Sequence, residues 1–238
     1  MSRDALDPGP SIVLVGTTLP ENVGAAARAM ANFGLGDLRL VAPRCDPHGE
    51  RAIATATHGE GVLKHARVFE TLGAALADRS TVWATTSLHR EFRKPMEGPR
   101  QAAPQWDEGS AIVFGPERSG LTYEELTWAH ALLTIPTTSE ARALNLGVAV
   151  ALVAWEWASR TTTPGPVASP VLKAPMAEQQ EVLTMLEARL EAAGWASEPG
   201  LRTRTVRSLR TAFLRAGLTR SELTLARSVI TALGRKTG

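Results

Sequence analysis

Residues 111–146 read AIVFGPERSGLTYEELTWAHALLTIPTTSEARALNL, and in them two short apolar runs each end on a turn-forming residue and lead through a loop into a helix. AIVF stops at Gly115, Gly120 permits a backbone turn closed to other residues, and Thr122 with Glu125 three residues later spells a helix-opening capping box. ALLTI stops at Pro136, and the loop TTSEARA delivers Asn145 to the start of a long helix. Two such loops leave the same edge of a parallel sheet, where open α/β sheets hold their ligands. The stretch predicts an α/β protein with a small-molecule site.

The flanking sequence supports that class. SIVLV (11–15) is a β-branched run ended by Gly16, TTLPENVGAAARAMANFG turns into a helix of small residues, and a strand resumes at 38–41, which together make a βαβ unit. The dinucleotide fingerprint G-x-G-x-x-G is absent from its first turn. Residues 46–80 read as helix, short strand, helix, with Thr71 opening the last; TVWATT follows as a strand, and 87–109 as a long loop with several prolines and basic residues. The helix from 144 to about 159 is apolar on nearly all sides, so it is buried on more than one.

Composition narrows the function classes. Of 238 residues 44% are hydrophobic, enough for an ordinary core, and the single cysteine, Cys45, excludes an internal disulfide framework and a thiolate metal cluster, which fits a reducing cytoplasm. The stretch MSRDALDPGPS has no apolar signal core, and residues 144–155, the longest nearly apolar run, are too short to span a bilayer, so no membrane role is expected. His48, His58 and His65 are spaced ten and seven apart, unlike a helical metal pair, and no metal is expected.

Charge is uneven. Residues 1–160 carry 15 Lys/Arg against 18 Asp/Glu, whereas residues 177–238 carry 10 against 6. Between Pro199 and Ser221 there are six arginines and no acid. On a 3.6-residue period, Val206, Leu209 and Phe213 fall on one face of that helix and Arg204, Arg207 and Arg215 on the opposite one. Such a stripe is a solvated face or a phosphate-binding one.

GPERSGLT, IPTTSEARALNL and the earlier TTLPENVGAAARAM together resemble, in order and spacing, the three motifs of the SPOUT superfamily of RNA 2'-O-methyltransferases, in its TrmH-like part, and within it the branch that modifies the tRNA anticodon loop. The resemblance implies a SPOUT fold with a parallel sheet and a C-terminal trefoil knot over residues 1–160 and a tRNA-binding tail; the residues themselves read as a Pro-rich linker at 161–176 and an all-helical extension at 177–238 of three helices, the last opened by a Thr219–Glu222 capping box. It implies S-adenosylmethionine as cofactor, tRNA as substrate and a homodimer formed through the 144–159 helix. By the same resemblance Asn22, Arg28, Glu117 and Asn145 are catalytic, with Arg28 serving as a bidentate donor to phosphate or to a developing alkoxide rather than as a base. Thr85, Thr86, Ser87, Gly115, Ile135, Arg142, Ala143 and Leu144 are expected at the cofactor, and Arg90, Arg93, Lys94, Arg204, Arg207 and Arg215 at the RNA. The reading is ribose 2'-hydroxyl methylation of the anticodon-loop pyrimidine numbered 32 by convention. A different tRNA position, ribosomal RNA, or a non-catalytic RNA-binding dimer are the alternatives. Two positions depart from the family pattern: Ala143 stands where a serine is usual and Pro116 where an arginine is usual.

Overall fold

Every residue of β1 (Ser11–Val15) is buried, with Ile12 and Leu14 against one layer of helices and Val13 and Val15 against the other. A strand covered on both faces requires that two-residue alternation. The computed structural model describes residues 9–87, 94–138, 143–160, 172–195 and 199–235. Seven strands form one sheet in which every pairing is parallel. In spatial order they are β3 (Arg67–Phe69), β2 (Leu38–Val41), β1, β6 (Ser110–Phe114), β4 (Thr81–Thr85), β7 (Ala131–Leu133) and β5 (Met96–Glu97).

One face carries α1 (Pro20–Asn32), α2 (Glu50–Thr55), α3 (Glu60–Lys64) and α7 (Leu146–Ser159) over a core that includes Ile112, Phe114, Val150 and Trp157. The other carries α4 (Leu72–Leu76) and α6 (Tyr123–Thr127). Both predicted caps are present: the Thr71 hydroxyl accepts from Ala74 N at 3.2 Å, and Thr122 and Glu125 form the reciprocal capping box of α6.

Two segments differ from the sequence reading. The single helix expected early in 46–80 is broken in two, because His58 takes a positive φ of 67° and Gly59 lies against the α1 backbone, where a Cβ would sit 2.6 Å from Arg28 N. The long loop expected at 87–109 contains β5, which pairs with β7, and α5 (Pro99–Ala102), with Pro at the helix start. Buried Trp106 follows, packed edge-on to Trp83 with ring centroids 6.3 Å apart. The trefoil crossing expected near 135–144 includes residues 139–142, and the proline-rich linker includes 161–171; both sets lie outside the described residues.

The C-terminal helices α8 (Met176–Ala192), α9 (Pro199–Ala216) and α10 (Arg220–Arg235) are fastened to the α4/α6 face. Met176 and Leu214 enter the core on that side, and Ala177 N donates to Ala77 O at 3.0 Å. A buried polar joint completes the contact. Val82 N donates to His130 Nδ1 at 3.1 Å, which leaves the ring proton on Nε2, 3.2 Å from Oε1 of wholly buried Gln179. Burial and the charge of Lys173 push His130 down to about 3, against the Gln179 bond that favours its charged form, so the ring is neutral at physiological pH. Thr219 and Glu222 cap α10 as the sequence predicts.

At the opposite edge of the sheet, Arg39 is 1% exposed and donates to Asp37, to Asp78 and to Ala75 O. Burial raises the Asp37 carboxyl, but bonds from Arg39, Arg67 and Ser11 outweigh it and hold the group at about 2.

Candidate active site

β6, β4 and β7 are neighbours in the sheet, and the loops leaving their C-terminal ends converge. Between them lies a cavity of about 290 Å³, close to the lower end of small-ligand pockets. Thr85, Thr86 and Ser87 come from the β4 loop, Gly115 to Leu121 from the β6 loop, and Ile135, Ala143 and Leu144 from the segment after β7. The structure thus gathers seven of the eight residues expected at the cofactor, and Arg142 lies outside the described residues. Phe114, Leu133, Leu146 and Ala149 also line the cavity. They read as ordinary core residues in sequence, because nothing local marks which apolar side chain borders a void.

Backbone geometry fixes the walls. Thr86 N donates to Leu133 O at 2.9 Å, and the Thr85 hydroxyl to Val113 O at 3.1 Å, tying the β4 end to both neighbouring strands. Gly115 sits so close to its own loop that a Cβ would lie 2.3 Å from Leu121 N and 2.4 Å from Gly120 C, and Gly120 has a φ of 63°.

Three of the four expected catalytic residues form one hydrogen-bonded chain at the rim. Glu117 Oε1 accepts from Asn22 Nδ2 at 2.7 Å, and Asn22 Oδ1 accepts from Asn145 Nδ2 at 2.9 Å. Asn145 Oδ1 in turn accepts from Val148 N at 3.3 Å, so the same side chain caps α7. The direction of the chain is dictated by its end. An ionised carboxylate only accepts, which forces Nδ2 of Asn22 toward it and Oδ1 toward Asn145. Burial works to raise Glu117, but bonds from Asn22, from its own backbone N–H and from Thr18 prevail and hold it below the usual range. Thr18, whose hydroxyl donates to Glu117 Oε2 at 3.1 Å, was not singled out in the sequence. Its proximity follows from the pairing of Leu14 with Phe114, which sends the β1 and β6 loops out side by side.

Arg28 is not part of this chain. It lies six residues after Asn22 on α1, on a different face, and is exposed. Ala25, one turn before it, packs against Gly147 at the start of α7, where a Cβ on the glycine would be 2.7 Å from the alanine Cβ. Beyond Gly147 the outer side of α7 presents Val148, Leu152 and Trp155, the last 54% exposed.

Of the residues expected at RNA, Lys94 is corrected. It is 7% exposed, and its ammonium donates to Leu126 O at 2.8 Å, Thr127 O at 2.9 Å and Ala129 O at 2.5 Å. It satisfies the carbonyls at the end of α6, as a cation at a helix C-terminus does, and is not available to a phosphate. Burial pushes its pKa down to about 7. Arg204, Arg207 and Arg215 are exposed on α9. Arg90 and Arg93 lie outside the described residues. Also among the described residues, no group of three His, Cys, Asp or Glu side chains could hold a metal ion, and no helix is long and apolar enough to cross a membrane.

The fold and this rim define an α/β protein with a cavity of small-ligand size at the C-terminal edge of a parallel sheet and a carboxylate–amide chain beside it. The chain belongs to the SpoU rRNA Methylase family, which it matches over residues 9–155. It is 41% identical over 151 residues to the tRNA (cytidine/uridine/adenosine-2'-O-)-methyltransferase TrmJ of Pseudomonas aeruginosa, a match covering 61% of this chain and 58% of that protein. With tRNA (cytidine/uridine-2'-O-)-methyltransferase TrmJ of Escherichia coli the identity is 34%, covering 93% of this chain and 94% of the relative. The crystal structure of TrmJ from Z. mobilis ZM4 superposes with a TM-score of 0.86 at 38% identity, over 94% of this chain and 99% of that one. The chain spans about three-fifths of the length of the first curated relatives it matches.

Proposed function

We propose that this protein is an S-adenosylmethionine-dependent methyltransferase that modifies a ribose 2'-hydroxyl of tRNA, at the anticodon-loop pyrimidine of position 32, and that it works as a homodimer in the cytoplasm. The observation that carries the reading is the cavity between the β4, β6 and β7 loops, with Glu117, Asn22 and Asn145 joined at its rim. The names of the relatives supply the substrate class.

The lining suits a nucleoside bearing an amino acid: apolar Phe114, Leu133, Ile135 and Leu146 for a base, with hydroxyls and loop backbone around them. Bound there, S-adenosylmethionine supplies a sulfonium-activated methyl group for in-line transfer to a ribose oxygen. Most of the rate then comes from positioning that oxygen and from stabilising its charge as the hydroxyl proton is lost. The Glu117–Asn22–Asn145 chain holds two amides rigid, each with a second N–H still to donate. Glu117 already accepts through both oxygens, so it orients rather than deprotonates. In a homodimer docked on the exposed apolar stripe of α7, the exposed Arg28 of α1 would serve the cavity of the second copy. Ala143 removes one hydroxyl from the wall, a loss of about 1–3 kcal/mol if that hydroxyl had contacted a reacting group.

Incubation of the protein with methyl-labelled S-adenosylmethionine and unfractionated tRNA, followed by nuclease digestion and mass spectrometry, tests the proposal. Label on the ribose of the anticodon-loop pyrimidine is expected. Tight tRNA binding with no transfer to tRNA or to ribosomal RNA would instead indicate a non-catalytic RNA-binding dimer. Gly115→Ala is expected to lower kcat/KM by about 100-fold, because the loop must move by a fraction of an ångström or more to admit the methyl group. A variant within a few-fold of wild type would remove that loop from the cofactor site.

A further inference from the structure

Tyr123 is the only tyrosine in the chain and the first residue of α6, two positions beyond Leu121 of the cavity wall. It is 42% exposed. The residue is partly exposed close in sequence to the cavity wall, and a second element reaches its ring. Helix α9 lays two arginines, one turn apart, over the two aromatic side chains of α6 and its end. Arg207 lies over the Tyr123 ring at 5.4 Å, and Arg210 over Trp128 at 6.0 Å. The two pairs differ in how far they are spoken for. Arg210 is partly buried and ion-paired with Glu187 at 3.4 Å, and Trp128 packs over Gly73, so this pair holds α9 in place. Arg207 is exposed, and among the described residues no carboxylate pairs with it.

We propose that Tyr123 and Arg207 form a stacking platform for an unpaired nucleobase of the RNA, one that flanks the reacting ribose. This rests on the reading of the cavity as an RNA ribose methylation site and names the contact that selects single-stranded substrate there. Proteins that read single-stranded loops stack splayed bases on aromatic rings and guanidinium planes. The ring offers a π-face, the guanidinium a second plane and a phosphate donor, and Arg118 on the cavity rim extends the basic surface toward the reacting position. Hydrogen bonding by the phenol is not required, so the contact accepts any base. Selectivity then comes from the loop being unpaired.

The test is binding of a fluorescently labelled tRNA anticodon stem–loop by anisotropy, measured beside methyl transfer to unfractionated tRNA. Tyr123→Ala is expected to weaken binding about tenfold, the scale of one lost base–aromatic stack, with affinity for S-adenosylmethionine unchanged. Tyr123→Phe, which keeps the ring, returns binding to within about twofold of wild type. An abasic substitution beside the methylated nucleotide weakens wild-type binding by a similar factor and has no further effect on Tyr123→Ala. If wild type binds and methylates tRNA while Tyr123→Ala matches it, the platform is overturned and the methyltransferase reading stands. If wild type neither binds nor methylates tRNA, both fall.

Discussion

Arg28→Ala is expected to lower tRNA methylation about 100- to 1,000-fold, the effect of removing one preorganised donor from a site of developing negative charge, or about 2.7–4 kcal/mol. Affinity for S-adenosylmethionine should be retained, because Arg28 does not line the cavity of its own chain. The side chain is exposed and lies on a different face of α1 from Asn22, so under the proposed homodimer it would serve the partner's site. Mixing Arg28→Ala with Gly115→Ala distinguishes the two arrangements. If Arg28 acts across the interface, a mixed dimer regains one complete site, and random exchange restores about a quarter of wild-type activity. If it acts within its own chain, mixing two dead proteins restores nothing.

The second large effect concerns stability. Replacing both Asp37 and Asp78 by alanine leaves the Arg39 guanidinium, 1% exposed, without a counter-charge, and is expected to destabilise the protein by about 3–5 kcal/mol. For a chain of this size that is a fall in Tm of about 6–20 °C, measurable by calorimetry or circular dichroism. Arg39→Leu should cost less, about 1–2 kcal/mol. The carboxylates it abandons are 26% and 51% exposed and can rehydrate. An equal or larger loss for Arg39→Leu would show that packing over Phe69, and not charge, dominates that edge. The pH dependence has a fixed sign. Asp37 is held at about 2 when folded and rises to about 3.9 when unfolded. Its contribution is therefore complete above about pH 4 and is lost as pH falls toward 2. Against the upward pull of burial, Arg39 and Arg79 likewise hold Asp78 below the usual carboxylate range. Urea midpoints of the double variant should accordingly vary less than those of wild type between pH 5 and pH 2.5.

What was legible in the sequence had local causes. The strand end at Gly115, the Thr122–Glu125 box and the three helices after residue 175 follow from turn chemistry and periodicity within a few residues; the run ending at Pro136 located β7, although the strand itself stops at Leu133. Lys94 was misread for the opposite reason. A lysine among arginines in a proline-rich segment reads as solvated, and its three carbonyl partners lie 32 to 35 residues away at the end of another helix. The division of 46–80 into separate helices depends on the α1 backbone pressing on Gly59, a contact with no signature in composition. Thr18 joins the rim only because β1 and β6 are neighbours, although their first matched pair, Ser11 and Ala111, lies 100 positions apart in the chain. Asn145 was legible as a helix cap; its second role, passing a hydrogen bond to Asn22, was not.

The buried joint between His130 and Gln179 gives the C-terminal helices a role beyond supplying positive charge. An appended arm would search for its polyanion by diffusion, and its reach would scale with the chain that tethers it. Here the neutral imidazole and the buried amide lock α8 to the strand that carries Val82, and the packing of α9 on α6 continues that rigid connection up to the cavity mouth. The protein behaves as a caliper: one jaw is the pocket, the other the arginine row, and the gap between them is set by the joint and not by the length of residues 161–171. Under the proposed function, a fixed span of this kind would choose the nucleotide that meets the methyl group.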